Sequence, residues 1–209
     1  MRVPEHNCQI CTRLAEFRKV NREKFPDKFN APVPGFGDLD AGFLIAGLAP
    51  GLKGANFTGR PFTGDYAGDL LYQTLLKFGF ATGDYQARPD DGLSLVNCRI
   101  SNTVKCVPPE NKPTGQEMAN CRPFFASELE EMKNLKVILA LGKIAHDRVV
   151  KVYGQKLSAF KFGHGAEHAL PGGVELIDSY HCSRYNTQTR RLTTEMFEEV
   201  VKQCKNLLT

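Results

Sequence analysis

The chain has 209 residues, of which 42% are apolar and 24% charged, and these values suit one soluble α/β domain. No apolar stretch approaches the roughly 20 residues that a membrane span requires, and the first residues lack the apolar core of a secretory signal. We therefore expect a cytoplasmic protein, in which an odd count of seven cysteines argues against a disulfide framework and makes metal ligation their leading use. The net charge of +4 permits nucleic-acid binding without requiring it.

Two cysteines near the N-terminus, Cys8 and Cys11, are separated by two residues. Thiolates at this spacing can bind one metal centre from a single turn of chain, so the pair is a candidate metal-binding motif. Residues 25–38 are rich in proline and glycine, which predicts an ordered connection between an N-terminal helix and the first strand.

Four apolar segments have the character of strands, namely residues 42–49, 93–104, 137–141 and 174–177. The segments between them have helical spacing, and this alternation indicates parallel strands with helices on both faces of the sheet. We therefore predict a three-layer α/β/α fold with a mainly parallel four-stranded central sheet, formed by a single domain over residues 1–209.

A glycine-rich loop, residues 47–68, separates the first predicted strand from a helix predicted over residues 67–78. Its six glycines allow the backbone to approach a ligand closely. The phosphate-binding sequence G-x-x-x-x-G-K-[ST] is absent, which argues against a nucleotide hydrolase. A second long loop, residues 181–192, follows the last strand, and both loops should lie at the carboxyl edge of the sheet, where α/β proteins bind ligands.

A second pair of cysteines, Cys106 and Cys121, has fourteen residues between its members. With Cys8 and Cys11 it gives four thiolates, but not the two short pairs of most structural zinc sites. An iron–sulfur cluster fits this spacing better, and zinc at the same four positions is the alternative, because a sequence does not reveal which metal its thiolates hold.

The last predicted helix opens at Thr193, and the helical period of its apolar residues makes Cys204 a core thiol. Four histidines outside the motifs are expected to be surface or packing residues: His6, His146, His164 and His168.

The glycine-rich loop resembles the first motif of the iron–sulfur uracil-DNA glycosylases. Asn56, TGR at residues 58–60 and FTGD at residues 62–65 are similar to the type-5 branch in particular. The type-4 branch has an acidic residue shortly after the Ala-Pro-Gly turn, where this chain has LKG at residues 52–54.

Two further motifs extend the resemblance over nearly the whole chain. Residues 104–124, which contain Cys106 and Cys121, are similar to the family's cysteine segment. Residues 179–193 resemble its closing His-Pro-Ser motif, with Cys182 in place of the proline.

The resemblance implies a monofunctional enzyme of base excision repair, which flips a damaged base out of DNA and hydrolyses its N-glycosidic bond to leave an abasic site. It implies uracil and other deaminated bases as substrates, DNA as the partner, no membrane, a monomeric state and a 4Fe-4S cluster. The alternatives are a type-4-like enzyme confined to uracil and a non-catalytic, metal-containing DNA-binding module.

The resemblance also implies roles for individual residues. Asp65 and His181 would be catalytic, the first serving the water and the sugar cation and the second the departing base. The residues around the extruded base would be Ala49, Pro50, Gly51, Asn56, Phe62 and Asn102. Contacts to DNA would come from Arg184, Tyr185 and Arg191. The cluster ligands would be Cys8, Cys11, Cys106 and Cys121.

Each of these residue types also has a purely structural explanation. Asp65 stands immediately before a predicted helix and can be its N-cap. Phe62 can be a core residue, and His181 can cap the strand before it. Asn102 can bond to backbone at the end of its strand, as we expect of Asn97, which serves as the structural comparison.

Overall fold

The computed structural model describes residues 1–208, which form helices and strands in alternation. The α-helices are α1 Thr12–Lys24, α2 Ala55–Thr58, α3 Tyr66–Phe78, α4 Gly115–Glu131, α5 Lys143–Val152, α6 Arg184–Gln188 and α7 Thr194–Asn206. The strands are β1 Phe36–Gly37, β2 Phe43–Gly47, β3 Ala81–Thr82, β4 Ser94–Leu95, β5 Cys98–Asn102, β6 Val137–Leu141, β7 Glu167–Leu170 and β8 Val174–Ser179. None of these helices is both long and apolar enough to cross a membrane.

The central sheet has six strands in the order β1-β5-β2-β6-β8-β7, so the predicted four-stranded sheet is wrong in strand number. The four inner strands are parallel and correspond to the four predicted segments. The edge strands β1 and β7 are antiparallel to their neighbours. Sequence patterns miss β1 because it has two residues, and β7 because its partly exposed sequence EHAL is not an apolar run.

The predicted strand over residues 93–104 is interrupted in the structure. Its first part is β4, which pairs with β3 in a separate two-stranded sheet, and its second part is β5. Asn97 lies between the two with a φ of 47°, a left-handed conformation that ends one strand and starts the next.

Both faces of the central sheet are covered by helices, as the predicted three-layer arrangement requires. On one face Phe43 and Ile45 of β2 pack with residues of α3 and α7. On the other face Leu44 and Ala46 pack with residues of α4 and α5. The inner strands are buried on both faces, so their carboxyl ends are the part of the sheet that is left for a ligand.

The predicted helix boundaries agree closely with the structure. Helix α3 begins after Asp65 and ends at Gly79, whose φ of 80° is a left-handed cap conformation that favours glycine. Helix α7 begins after Thr193, whose side chain accepts a hydrogen bond from Met196 N, and it buries Cys204 completely.

Candidate active site

A cavity of about 630 Å³ lies at the carboxyl ends of β2, β5 and β8. Its walls come from segments far apart in the sequence and include Ala49, Pro50, Gly51, Phe62, Asp65, Asn102, His181 and Arg184. A cavity of equal volume lies between β7 and α7, but it is at the sheet edge and contains none of these groups. The first cavity, which we call the carboxyl-edge pocket, is therefore the candidate active site.

Asp65 both caps a helix and lines the pocket. Its Oδ1 accepts a hydrogen bond from Gly68 N at 3.2 Å, which confirms the N-cap at the start of α3. Its Oδ2 lies against the loop at Gly51 and Gly54, where a β-carbon on Gly54 would collide with it. Burial raises the pKa of Asp65, and no cation is within ion-pairing distance of it in the described chain.

Phe62 is a wall of the pocket and also belongs to the core. Its side chain is 7% exposed, and its ring centroid is 5.8 Å from that of His181. Its φ of 52° is unusual for an aromatic residue. Gly47 leaves the space that the Phe62 ring and the Asn102 amide share, since a β-carbon there would contact both. The two explanations given for Phe62 are therefore compatible with each other.

A buried ion pair that the sequence did not reveal holds the Phe62 loop. The Arg60 guanidinium donates to both carboxylate oxygens of Asp91 at 2.7 Å, and its Nε donates to Thr63 Oγ1 at 2.8 Å. The hydrogen bonding from Arg60 holds the pKa of Asp91 well below its usual range. The Tyr72 hydroxyl donates to Pro61 O at 2.7 Å on the same loop. The unusual backbone at Phe62 is therefore fixed from both sides.

The two asparagines of the β5 region have different surroundings. Asn97 Oδ1 accepts a hydrogen bond from Gly42 N at 2.6 Å, so this residue is structural, as expected. The Asn102 amide lies in the pocket wall, and it makes no side-chain hydrogen bond to any residue in the described range. An amide without a protein partner at this edge is free to bind a ligand.

His181 is half-buried in the pocket wall, and its ring has no hydrogen-bond partner among residues 1–208. Burial lowers its pKa to about 4, so the imidazole is neutral at pH 7. Asn186 Nδ2 donates to His181 O at 2.8 Å and Cys182 is fully buried, which together fix the turn that lacks the family's proline. Burial raises the pKa of the Cys182 thiol to about 12, so it stays protonated.

The predicted DNA-contacting residues follow His181. Arg184 lines the pocket, with its guanidinium 5.5 Å from the ring centroid of Tyr66. Tyr185 is 69% exposed at the start of the short helix α6, which the sequence did not predict. Arg191 is exposed and lies over the Tyr180 ring at 4.6 Å.

Asn56 is not in the pocket wall. It is buried beneath the loop, and its Nδ2 donates to Asn30 Oδ1 at 2.8 Å. Asn30 in turn bonds to the backbone at the end of α1. The structure thus places Asn56 as a link between the glycine-rich loop and the N-terminal segment, which argues against the base contact expected from the resemblance.

The four cysteines expected to bind metal line one small cavity, formed by the N-terminal segment, the end of β5 and α4. Burial and the neighbouring Cys121 raise the pKa of Cys106 to about 12. Three donors from the protein approach the sulfurs: Arg18 Nη1 to Cys106 at 3.6 Å, Lys105 N to Cys121 at 3.3 Å and Asn120 Nδ2 to Cys11 at 3.5 Å.

The spacing of the four cysteine sulfurs differs from that of a tetrahedral zinc site. Tetrahedral zinc with Zn–S bonds of about 2.3 Å sets the sulfurs about 3.8 Å apart. Within the described part of the chain, no three of the four cysteine sulfurs lie within 4.8 Å of one another, whereas His146, His168 and Asp178 offer ligand atoms that do.

These last three residues form a buried network that the sequence did not indicate. His146 Nδ1 is 2.7 Å from Asp178 Oδ1, and its Nε2 is 2.9 Å from Phe160 O. Both partners are oxygen acceptors, so this geometry favours donation from both ring nitrogens of His146. Burial is the largest single effect and opposes a charge on His146, but the hydrogen bond and the charge of Asp178, together with the hydrogen bond to Phe160 O, outweigh it and raise the pKa of His146. His146 is thus a fully buried packing residue, as expected, with hydrogen bonds on both ring nitrogens.

The sequence model of the Uracil DNA glycosylase superfamily matches residues 34–205. A type-5 uracil-DNA glycosylase of Thermus thermophilus is 43% identical, with 96% of this chain and 93% of the relative covered. A type-5 enzyme of Pyrobaculum aerophilum is 38% identical, with 94% and 87% covered. A type-4 enzyme of the same organism is 33% identical, with 84% and 77% covered. The chain therefore belongs to the uracil-DNA glycosylase superfamily.

Proposed function

We propose that this protein is a DNA-repair hydrolase that removes uracil from DNA by cleaving the N-glycosidic bond and leaves an abasic site. The observation that supports this most is the carboxyl-edge pocket, which brings Phe62, Asp65, Asn102 and His181 together from separate segments. The names of the type-5 and type-4 relatives agree with the same activity.

The base would be held by Asn102 and Phe62. An amide offers one acceptor and two donors, which matches the alternating carbonyl and imide edge of uracil, and no side-chain hydrogen bond from residues 1–208 occupies the amide of Asn102. Phe62 offers an aromatic surface against which an extruded base can stack, as base-flipping enzymes generally do. The turn of Ala49, Pro50 and Gly51 would close the pocket around it.

His181 would stabilise the departing base. When the bond between the base and C1′ breaks, its electron pair stays on the base, which leaves as an anion. A neutral imidazole donates one N–H to a base carbonyl without the cost of a buried positive charge, and the low pKa of His181 provides this form at neutral pH.

Asp65 would act on the opposite charge. The sugar becomes cationic as the base departs, and a carboxylate stabilises that cation and accepts a proton from the water whose oxygen bonds to C1′. The raised pKa of Asp65 makes the carboxylate a better proton acceptor than an exposed aspartate.

We also propose that Cys8, Cys11, Cys106 and Cys121 hold a 4Fe-4S cluster. The spread of the sulfurs favours a polynuclear cluster over one zinc ion. Arg18 is 3% exposed and has no carboxylate partner in the described chain, so cluster thiolates would balance its charge. Bound there, the cluster would join the N-terminal segment to β5 and α4.

The DNA would be contacted by the loop after His181. Arg184 lines the pocket and the next residue, Tyr185, is exposed, so we propose these two as the wedge that replaces the flipped base. Arg191, an exposed cation of the same loop, would contact phosphate.

The decisive experiment is single-turnover release of the base from duplexes with one uracil, hypoxanthine or xanthine. We expect release of uracil, and release of the other deaminated bases as for the type-5 branch. Release of uracil alone would favour a type-4-like specificity, and binding without any release would favour a non-catalytic DNA-binding module. Iron analysis of anaerobically purified protein should give about four irons per chain.

A further inference from the structure

Another cavity, of about 220 Å³, lies between α4 and α5, and its lining combines apolar side chains with three cations, Arg122, Arg148 and Lys151. Thr103 and Gly115 form part of its wall, and none of its described lining residues is a carboxylate. It shares no lining residue with the carboxyl-edge pocket. We call it the cationic cavity.

The three cations have no anionic partner among the residues that the structure describes. None of them takes part in a salt bridge or a side-chain hydrogen bond among residues 1–208. Arg122 and Lys151 are exposed and Arg148 is partly buried, whereas the buried cations Arg60, Arg99 and Lys105 each meet a carboxylate. Three unpaired positive charges around one cavity repel each other, and an anion between them would remove that repulsion.

Arg148 gives the clearest indication that the cavity binds an anion. Its Nε is the single buried side-chain nitrogen or oxygen without a hydrogen-bond partner in the described chain. Buried polar groups are nearly always bonded, so this N–H calls for an acceptor from outside the protein. A guanidinium prefers oxyanions, which can accept several of its N–H groups.

We propose that the cationic cavity binds a phosphate group. Its volume equals that of about seven water molecules at about 30 Å³ each, which is enough for a phosphate with part of its hydration shell. The positive end of the α4 dipole at Gly115 adds to the attraction.

The phosphate has two possible sources. Thr103 directly follows Asn102, so the cavity lies beside the end of the strand that also reaches the carboxyl-edge pocket. A DNA strand with its base in that pocket could supply a backbone phosphate, and this source rests on the proposed function. Inorganic phosphate is the other source and does not depend on it.

Three variants test the proposal. Arg148→Gln and Lys151→Gln each remove one cation of the cavity. Lys156→Gln is the matched control, because it makes the same charge change on an exposed lysine that lines neither cavity. Lys151 is exposed, so its substitution should not impair folding, and thermal melting checks all three variants.

The first measurement is a titration of the whole protein with inorganic phosphate at low ionic strength, in which phosphorus NMR monitors the binding. We expect the wild type and Lys156→Gln to bind equally, and the other two variants to bind about tenfold more weakly. The second is the salt dependence of affinity for DNA with a non-cleavable uracil analogue, where each lost phosphate contact lowers the log–log slope by about 0.9.

A lower slope in Arg148→Gln and Lys151→Gln than in Lys156→Gln identifies DNA as the source. Equal slopes with loss of phosphate binding identify free phosphate. The proposal is overturned if both cavity variants match Lys156→Gln in both measurements. A wild-type protein that releases no uracil would overturn the proposed function instead, and phosphate binding would still be measurable.

Discussion

Two acidic residues of this protein have pKa shifts of opposite sign. Burial raises the pKa of Asp65 in the carboxyl-edge pocket. Burial alone would also raise the pKa of Glu128 between α4 and β5, but the charges of Lys105 and Arg99 outweigh it and lower that pKa. The histidines differ in the same way, because His181 has a lowered pKa and His146, beside Asp178, a raised one.

The difference lies in the partners, not in the depth of burial. Glu128 accepts hydrogen bonds at 2.7 Å from Arg99, Lys105 and Ser101, and this network joins β5 to α4. In the described part of the chain, by contrast, the Asp65 carboxylate accepts one hydrogen bond, and the side chains of Asn102 and His181 make none. Paired groups of the first kind should control stability, whereas the poorly paired ones should control the rate.

Asp65→Asn should separate the two properties most strongly. Asparagine is a good N-cap, so α3 keeps its start, but the charge that serves the water and the sugar cation is lost. Single-turnover release of uracil should fall by about 10²–10⁴-fold. Stopped-time assays with excess enzyme measure this rate.

The stability of the same variant should be equal to or above that of the wild type at neutral pH. The pKa of Asp65 is higher in the folded protein than its ordinary value of 3.8. The free energy of unfolding therefore decreases as the pH rises through the folded pKa, and asparagine, which does not ionise, avoids this loss. Asp69→Asn, an exposed position in the first turn of α3, is the control and should keep the rate. A normal rate in Asp65→Asn would leave Asp65 with the capping role alone.

Glu128→Gln should lower the stability of the protein and leave the rate of base release unchanged. It leaves Arg99 and Lys105 buried without their anion, which should lower the free energy of unfolding by about 3–5 kcal/mol. Urea denaturation measures this loss, and Glu130→Gln, on the exposed side of α4, should be close to wild type. At a temperature where the variant is folded, its single-turnover rate should stay near normal. A large fall in rate would mean that the network also acts on the pocket.

The sequence predicted the parts of this molecule that local patterns encode. The four parallel strands, the Asp65 and Thr193 caps and the meeting of four cysteines follow from apolar runs, helix-start residues and a motif resemblance. The edge strands β1 and β7 were not predicted, because a short or half-exposed strand has no apolar run.

The paired charges could not be predicted in the same way. Arg60 and Asp91 are 31 positions apart, and Arg99 and Glu128 are 29 apart, so no local period connects them. Asn56 shows the limit of resemblance, since a residue inside a matching motif is bonded to Asn30 beneath the loop. The role of each of these side chains depends on its bonding partner, and the tertiary fold determines which partner lies beside it.

His181→Ala should reduce base release by about 10²–10³-fold, the usual effect of removing one donor to a developing anion. His181→Asn keeps a donor and should retain part of the rate. The stability of the wild type should fall as pH drops from 6.5 towards 4, because the unfolded chain takes up a proton that folded His181 does not. His181→Asn should lack this contribution. An NMR titration of His181 with a midpoint near 6.5 would contradict the neutral-donor role.

Phe62→Leu should have the smallest effect, because leucine fills much of the space but has no aromatic face. Phe80→Leu is its control, since Phe80 is 5% exposed and packs on Phe43 outside the pocket. Volume-conserving changes in a core usually cost less than about 1.5 kcal/mol, so both variants should lose similar stability. Affinity for DNA with an extruded uracil analogue should fall in Phe62→Leu alone, by part of the roughly 1–3 kcal/mol that a stacked base contributes. Equal affinity in the two variants would make Phe62 a core residue, and the recognition of the base would then rest on Asn102.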